Sequence, residues 1–293
     1  MDIYITGSNS KILSGELATH LTGRYYALEV YPLSFAEIIS SRKDITGIID
    51  LDSEFIDYIN YGGLPAIQRF SKKEDLIKGY IDDMYSSILL NDIVARYSLR
   101  DVDLLKRFLK YIFQNVGQIF SAHSIAIFMK NEGRKLSKET LYNYLEACKN
   151  AYLIFGAPRY DIKGKQILKT KEKYFVNDIG IRGLYFNNQT DIAQVLENIV
   201  YMELLRQGYS VFVGEIGRQE VDFIAVKGTE INYIQVVYLL ASEETIEREF
   251  QALEKIGDNY PKYVMSLDKI KIERSGINHL NIIDFLMEQP FKQ

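Results

Sequence analysis

The chain has 293 residues, 47% apolar and 25% charged, with a formal net charge of −4, the balance of a globular protein with room for roughly two or three compact units rather than a disordered polyanion or a uniformly basic coat protein. A single cysteine, Cys148, excludes a disulfide framework or a cysteine-rich zinc site, and His20, His123 and His279 are too scattered to suggest a zinc site. No run approaches the about 18 apolar residues of a membrane span, and the first residues lack a secretory pattern, so a cytoplasmic protein without membrane contact is expected.

The opening "MDIYITGSNS" reads as a short strand running into a Gly-Ser-Asn-Ser turn. Ser8 and Asn9 fall at the strand's C-terminal end, where nucleotide-binding α/β sheets place polar residues, although a strand followed by Gly-Ser-Asn is more often only a turn. A domain that starts inside a buried strand is expected to have something before it. No G-x-x-x-x-G-K-[ST] occurs anywhere in the chain. "YYALEVYPLSFAEIIS" gives a second short strand, then a helix starting at Ser34 with Glu37 completing a capping box. Residues 53–98 read as helices: Phe55 and Ile59 mark one, and Ile81, Met84, Tyr85, Ile88 and Leu89 another, with "NYGGLPAI" as the Gly/Pro loop between them.

A three-helix unit follows. Leu104, Leu105, Phe108, Leu109 and Ile112 mark an amphipathic helix closing near Gly117. Ser121 caps a second helix running to Met129, and Ser137 caps a third with Leu141, Tyr144, Leu145 and Cys148 on one face. "YLIFGAPRYD", a turn at "IKGK" and "QILKTKEKYFVND" then form a hairpin. Three helices followed by a basic hairpin predict a winged helix. From about residue 190 the pattern becomes α/β: a helix ending at Gly208, three strands, a second helix capped by Ser242, a strand at "PKYVMSLD" and a last segment around 277–283. That order fits a restriction-endonuclease-like core.

Charge is unevenly distributed. Residues 129–174 hold 11 Lys/Arg against 5 Asp/Glu, and the remainder of the chain 24 against 34. A basic helix and wing on an otherwise acidic protein can meet phosphates while the rest is repelled. Lys138, Tyr142, Asn143 and Glu146 lie off the apolar face of the third helix, and Arg159, Lys163, Lys165 and Lys169 fall in the wing. Together they make a DNA-binding surface the expectation, with a protein-contact module as the alternative.

In the last unit the candidate ligands are Glu197, Asp222 and Gln235. Glu197 and Asp222 are the metal-binding pair for Mg²⁺, a hard cation that takes oxygen ligands. The period-2 rule puts Gln235 and Val237 on one strand face, which Asp222 should share. Nucleases of this type want lysine where Val237 stands, to stabilise charge at the scissile phosphate. Arg248 or Lys255 on the next helix are the candidate substitutes. The expectation is a degenerate, non-cutting site, against a Mg²⁺-dependent nuclease with a displaced cation; a bland reading has Glu197 packing against Tyr201 and Leu204.

The segments "DIYITGSNSKILSGELATHLTGRYYALEVYPLSFAEII", "YGGLPAI", "ILLNDIVARY", "TLYNYLEACKNAYLI" and "LENIVYMELLRQGY…EVDFIAVK" closely resemble the bacterial and archaeal AAA-type ATPases that carry a C-terminal domain of unknown function, in order and over essentially the whole chain. The resemblance implies that "ITGSN" is a sensor-1 strand, with Asn9 or Ser8 watching the γ-phosphate, and that Arg24 is a finger or sensor arginine. It also implies Walker A and Walker B strands before this one, so ATP would enter only with that missing part, and the chain alone should not hydrolyse it. The expected architecture is therefore α+β and multi-domain: residues 1–40 the remnant of a AAA-type core, 41–98 a helical lid-like region, 99–187 a winged helix, and 188–293 a restriction-endonuclease-like α/β domain. The expected partners are DNA, the missing ATPase fragment or further copies of the chain.

Overall fold

Ser34 starts the first described helix as a capping box does. Its N–H donates to Glu37 Oε2 at 2.7 Å, and its Oγ accepts from the Glu37 N–H at 3.1 Å. The structure, a computed structural model, describes residues 4, 6–9, 26–46, 49–70 and 73–288. Helix α1 spans Phe35–Thr46 and α2 Leu51–Tyr61, the latter capped by Asp50. Helix α2 stops at Gly62, whose φ of 74° and ψ of −161° lie in a region open essentially to glycine alone. A 3-10 turn at Pro65–Arg69 leads to α3 (Glu74–Ser87), which runs on as a π-helical stretch, Ile88–Ala95.

The strand expected in "YYALEV" is not formed. Residues 26–30 carry no ladder among the described residues, and Tyr26, Leu28 and Val30 are exposed. Alternation says which side chains a strand would bury, but a strand exists only where a second one supplies partners for its N–H and C=O groups. Most of the expected N-terminal strand lies outside the described residues; of it, residues 6–9 are irregular.

Helices α4 (Val102–Gln114), α5 (Ala122–Asn131) and α6 (Lys138–Asn150) form the three-helix unit, capped by Asp101, Ser121 and Ser137. Their apolar stripes meet in the core through Phe108, Leu109, Ile125, Met129, Leu141 and Leu145. Strands β1 (Ile154–Asp161) and β2 (Gln166–Val176) make the hairpin. The α4–α5 loop lies along the edge of β2: Gly117 N donates to Tyr174 O, Phe120 N donates to Glu172 O, and Ile119 bridges Lys173.

The hairpin is not a free wing. Arg159–Asp161 pair in parallel with Val213–Glu215 of β3 (Ser210–Ile216). One eight-stranded sheet results, in the order β2-β1-β3-β4-β5-β6-β8-β7, with β4 at Gln219–Lys227, β5 at Glu230–Val236, β6 at Lys262–Ser266, β7 at Glu273–Arg274 and β8 at Ile277–Asn281. Strand pairing between β1 and β3, and a core cluster that runs from Phe35 to Leu286, both cross position 187/188. The remaining helices are α7 (Ile179–Gly183), α8 (Ile192–Arg206), α9 (Glu243–Glu254) and α10 (Ile282–Glu288). Phe223, Ala225, Ile234 and Val236 pack on the α8 side of the sheet, whereas Ile224, Tyr233 and Val237 pack with Phe250 and Leu253 of α9. The architecture is mixed α/β around a mostly antiparallel sheet.

Candidate functional site

Two irregularities in the sheet build the site. In the β3–β4 ladder, Phe212 pairs with Ile224 but Gly214 with Val221, so Asp222 and Phe223 together face one residue of β3. Such a bulge bends the strand and re-aims a side chain. Here it turns the Asp222 carboxylate toward α8. In the β1–β2 ladder the register slips between Ala157 and Arg159. Pro158 sits at that break and has no N–H to donate. Lys173 lies opposite Ala157, at the edge of the same break.

The Lys173 ammonium enters the acid cluster. Its Nζ is 2.6 Å from Glu220 Oε1, 3.3 Å from Glu197 Oε2 and 3.8 Å from Asp222 Oδ1, and its side chain is only 4% exposed. Asp222 Oδ2 also accepts from the Val236 N–H at 2.8 Å. Above the cluster, Gly117 (φ 73°) brings the α4–α5 loop so close that a Cβ there would lie 3.0 Å from Glu197 Oε2. A side chain at this position would press on the carboxylate, and the loop closes the cluster on that side.

The charges are tuned by burial. Burial first, then the neighbouring Asp222, pushes the Glu197 carboxyl up to about 8, against the pull of Lys173. Burial pushes Asp222 up to about 6, opposed by Lys173 and the Val236 N–H. Burial also disfavours the Lys173 ammonium, but Glu197, Asp222 and Glu220 outweigh it and hold the amine above its ordinary range.

Of the sequence-derived residues, Glu197 and Asp222 come together around Lys173. Gln235 is only partly with them: its Oε1 accepts from the Asp222 N–H at 3.3 Å, but its amide turns to Glu249 of α9 at 3.0 Å. Val237 is buried among the α9 contacts, not beside Glu197. The two strand positions share a face, but the bulge sends the Asp222 carboxylate elsewhere. The cation of the cluster is neither Arg248, which is exposed and pairs with Glu249, nor Lys255, for which no contact with the cluster is found among the described residues. Sequence reasoning missed Lys173. Its signal was period 2: it lies two residues before Phe175, which is fully buried and stacks on Tyr201 at 4.1 Å.

Mg²⁺ does not fit this arrangement. The oxygens that would ligate it, Glu197 Oε2 and Asp222 Oδ1, face the Lys173 ammonium instead. Among the described residues no group of three or more His, Cys, Asp or Glu is placed to hold a metal ion.

The basic surface is partly consumed. Arg159, expected in the wing, pairs with Glu215 of β3. Lys149 pairs with Glu172 at 3.6 Å. Lys138, Tyr142, Asn143, Lys163 and Lys165 are exposed; the side chain of Lys169 lies outside the described residues. At the N-terminus, Ser8 Oγ donates to Asp92 Oδ1 at 3.0 Å and Asn9 Nδ2 to the Asp92 carbonyl at 3.5 Å, while Arg24 lies outside the described residues. No described helix is long and apolar enough to cross a membrane.

Comparison with known proteins adds two regions of similarity and two long relatives. A model of a domain of unknown function (DUF8612) matches residues 52–192, ending where α8 begins. A model described as an AAA domain matches residues 1–39. The chain is 39% identical over 291 residues to an uncharacterized protein of Haemophilus influenzae, covering 98% of this chain and 71% of that protein. It is 33% identical over 297 residues to the uncharacterized protein MJ1544 of Methanocaldococcus jannaschii, covering 97% and 65%. The chain thus spans about two thirds to seven tenths of the length of these relatives.

Proposed function

Because the chain belongs to the family of the uncharacterized Haemophilus influenzae protein and is AAA-related through residues 1–39, we propose that it is the nucleic-acid-binding portion of a AAA-type machine, with a nuclease-like α/β unit that does not cut. One observation carries the non-cutting reading: the Lys173 ammonium, the one cation placed to act at the cluster among the described residues, is only 4% exposed and already paired with Glu197, Glu220 and Asp222, so it is not free to meet a scissile phosphate. This internal cation offsets negative charge within the cluster and ties the hairpin to α8 and β4.

The nucleic-acid reading is supported by the order of elements, three helices, a bridge from the α4–α5 loop to β2 and a hairpin, the order expected of a winged helix. It is supported too by Lys130, Lys135, Lys138, Lys163 and Lys165, which are exposed and without an ion pair among the described residues. DNA is the proposed ligand, and ATP turnover is not expected of this chain, which contains no phosphate-loop motif.

The test is incubation of the purified chain with labelled single- and double-stranded DNA and RNA, with Mg²⁺ or Mn²⁺ and with chelator. Retention of the nucleic acid without cleavage is the expected result. Metal-dependent cleavage that disappears in both Lys173→Ala and Asp222→Ala would make the chain a nuclease whose lysine has moved to another strand. Absence of binding to every probe would leave the three-helix unit as a protein-contact module.

A further inference from the structure

The exposed face of α6 carries an aromatic ring where a duplex-reading helix needs polar groups. Tyr142 is 56% exposed. Its ring lies 6.5 Å from that of Phe120, which meets Tyr174 edge-on at 5.1 Å. Ile119, 40% exposed, continues the apolar surface beside a shallow hollow that Phe120 and Tyr174 help to line. Lys138 stands one helical turn before Tyr142, on the same face. The surface therefore joins stacking area to positive charge.

Duplex recognition is poorly served here. A duplex offers phosphates outside and keeps its bases stacked within, so exposed rings at its surface gain little. Two of the cations that would follow its backbone are spent, Arg159 on Glu215 and Lys149 on Glu172. The hairpin is also paired with β3 through Arg159–Asp161, not free-standing as a wing laid along a groove would be.

We infer that the α6 face with the α4–α5 loop binds single-stranded nucleic acid, with a base stacking on Tyr142 and its phosphates meeting Lys138 and neighbouring lysines. This rests on the nucleic-acid reading above and narrows its substrate class. The bases of a single strand are free to stack on aromatic side chains, and stacking tolerates any base.

Fluorescence anisotropy tests it, with a labelled oligo-dT of about 20 nucleotides and a hairpin duplex of comparable length at about 100 mM salt. The single strand should bind the full chain at least about tenfold more tightly than the duplex. Tyr142→Ala should weaken oligo-dT binding at least about fivefold and leave duplex binding unchanged, and Tyr142→Phe should keep most of the affinity. Tyr142 is exposed, so an unchanged circular-dichroism melt shows that each variant is folded. Equal or tighter duplex binding, or an unaffected Tyr142→Ala variant, overturns the single-strand inference while the broader nucleic-acid reading stands. Binding to neither probe overturns both. Displacement of oligo-dT by an equal charge of polyglutamate would identify an acidic protein as the partner and overturn the inference as well.

Discussion

At the scale of the residue, Lys173 decides how the acid cluster behaves. Removing one partner from a buried ion pair commonly costs about 3–5 kcal/mol, because the remaining charge has neither water nor a counter-ion. Lys173→Met should therefore destabilise the protein by about that much at pH 8, as read from urea unfolding. The loss should shrink at pH 5, where Glu197 and Asp222 can take up protons. In the native chain both carboxyls titrate above their unfolded values, Glu197 at about 8 and Asp222 at about 6. The folded state then binds more protons, so their contribution is fully present below about pH 4 and is lost as pH rises toward 8. Lys173 adds no slope in that window, since its amine is charged in both states. Glu197→Gln should flatten the fall in stability between pH 5 and 8; a profile as steep as the wild type's would remove Glu197 as its source.

At the scale of the element, two joints depend on close approach and on which face a strand presents. Asp178 accepts from the Gly63 N–H at 2.7 Å and the Gly180 N–H at 2.8 Å, fastening the end of α2 to α7. A Cβ on Gly62 would lie 1.8 Å from the same carboxylate, in a backbone conformation that itself costs a non-glycine residue about 1–3 kcal/mol. Gly62→Ala should thus destabilise by more than about 3 kcal/mol, measured by denaturant unfolding, and an effect under about 1 kcal/mol would mean that the joint yields. Strand faces govern Val237 in the same way. It is buried against α9, on the other side of the sheet from α8. Val237→Lys should place an amine in that apolar layer, lower the melting temperature and confer no cleavage of DNA or RNA. Gain of Mg²⁺-dependent cutting would mean that position 237 reaches the cluster after all.

At the scale of the whole molecule, the hairpin shared between the three-helix unit and the sheet makes the proposed binding surface and the acid cluster parts of one framework. Lys173 on β2 contacts Glu197 of α8, and Arg159 on β1 contacts Glu215 of β3. Nucleic-acid affinity should fall with salt by about 0.7 in log K per log salt for each phosphate neutralised on a single strand, or about 0.9 on a duplex. Replacing Lys163 and Lys165 at the exposed hairpin turn by Glu should weaken binding to all sequences alike and lower that slope. An unchanged slope in a filter-binding or anisotropy titration would place the phosphates elsewhere.

Much of the fold was legible in the sequence because its signals are local. Ser34, Ser121, Ser137 and Ser242 cap helices where their own short sequences require it, and the hairpin turn at residues 162–165 follows from its Gly and Lys residues. Amphipathic spacing likewise identified α4 and α6, and the acids Glu197 and Asp222 stood out by type and order. What tertiary structure alone decided was which residues meet. No local pattern says that β1 pairs with β3, that a bulge turns Asp222 toward α8, or that the cation beside it comes from residue 173 rather than from 237, 248 or 255. A strand's alternation fixes its two faces, but not its partner, its register breaks or the distant side chain that fills the space those breaks create, because these depend on pairings between segments far apart in the chain.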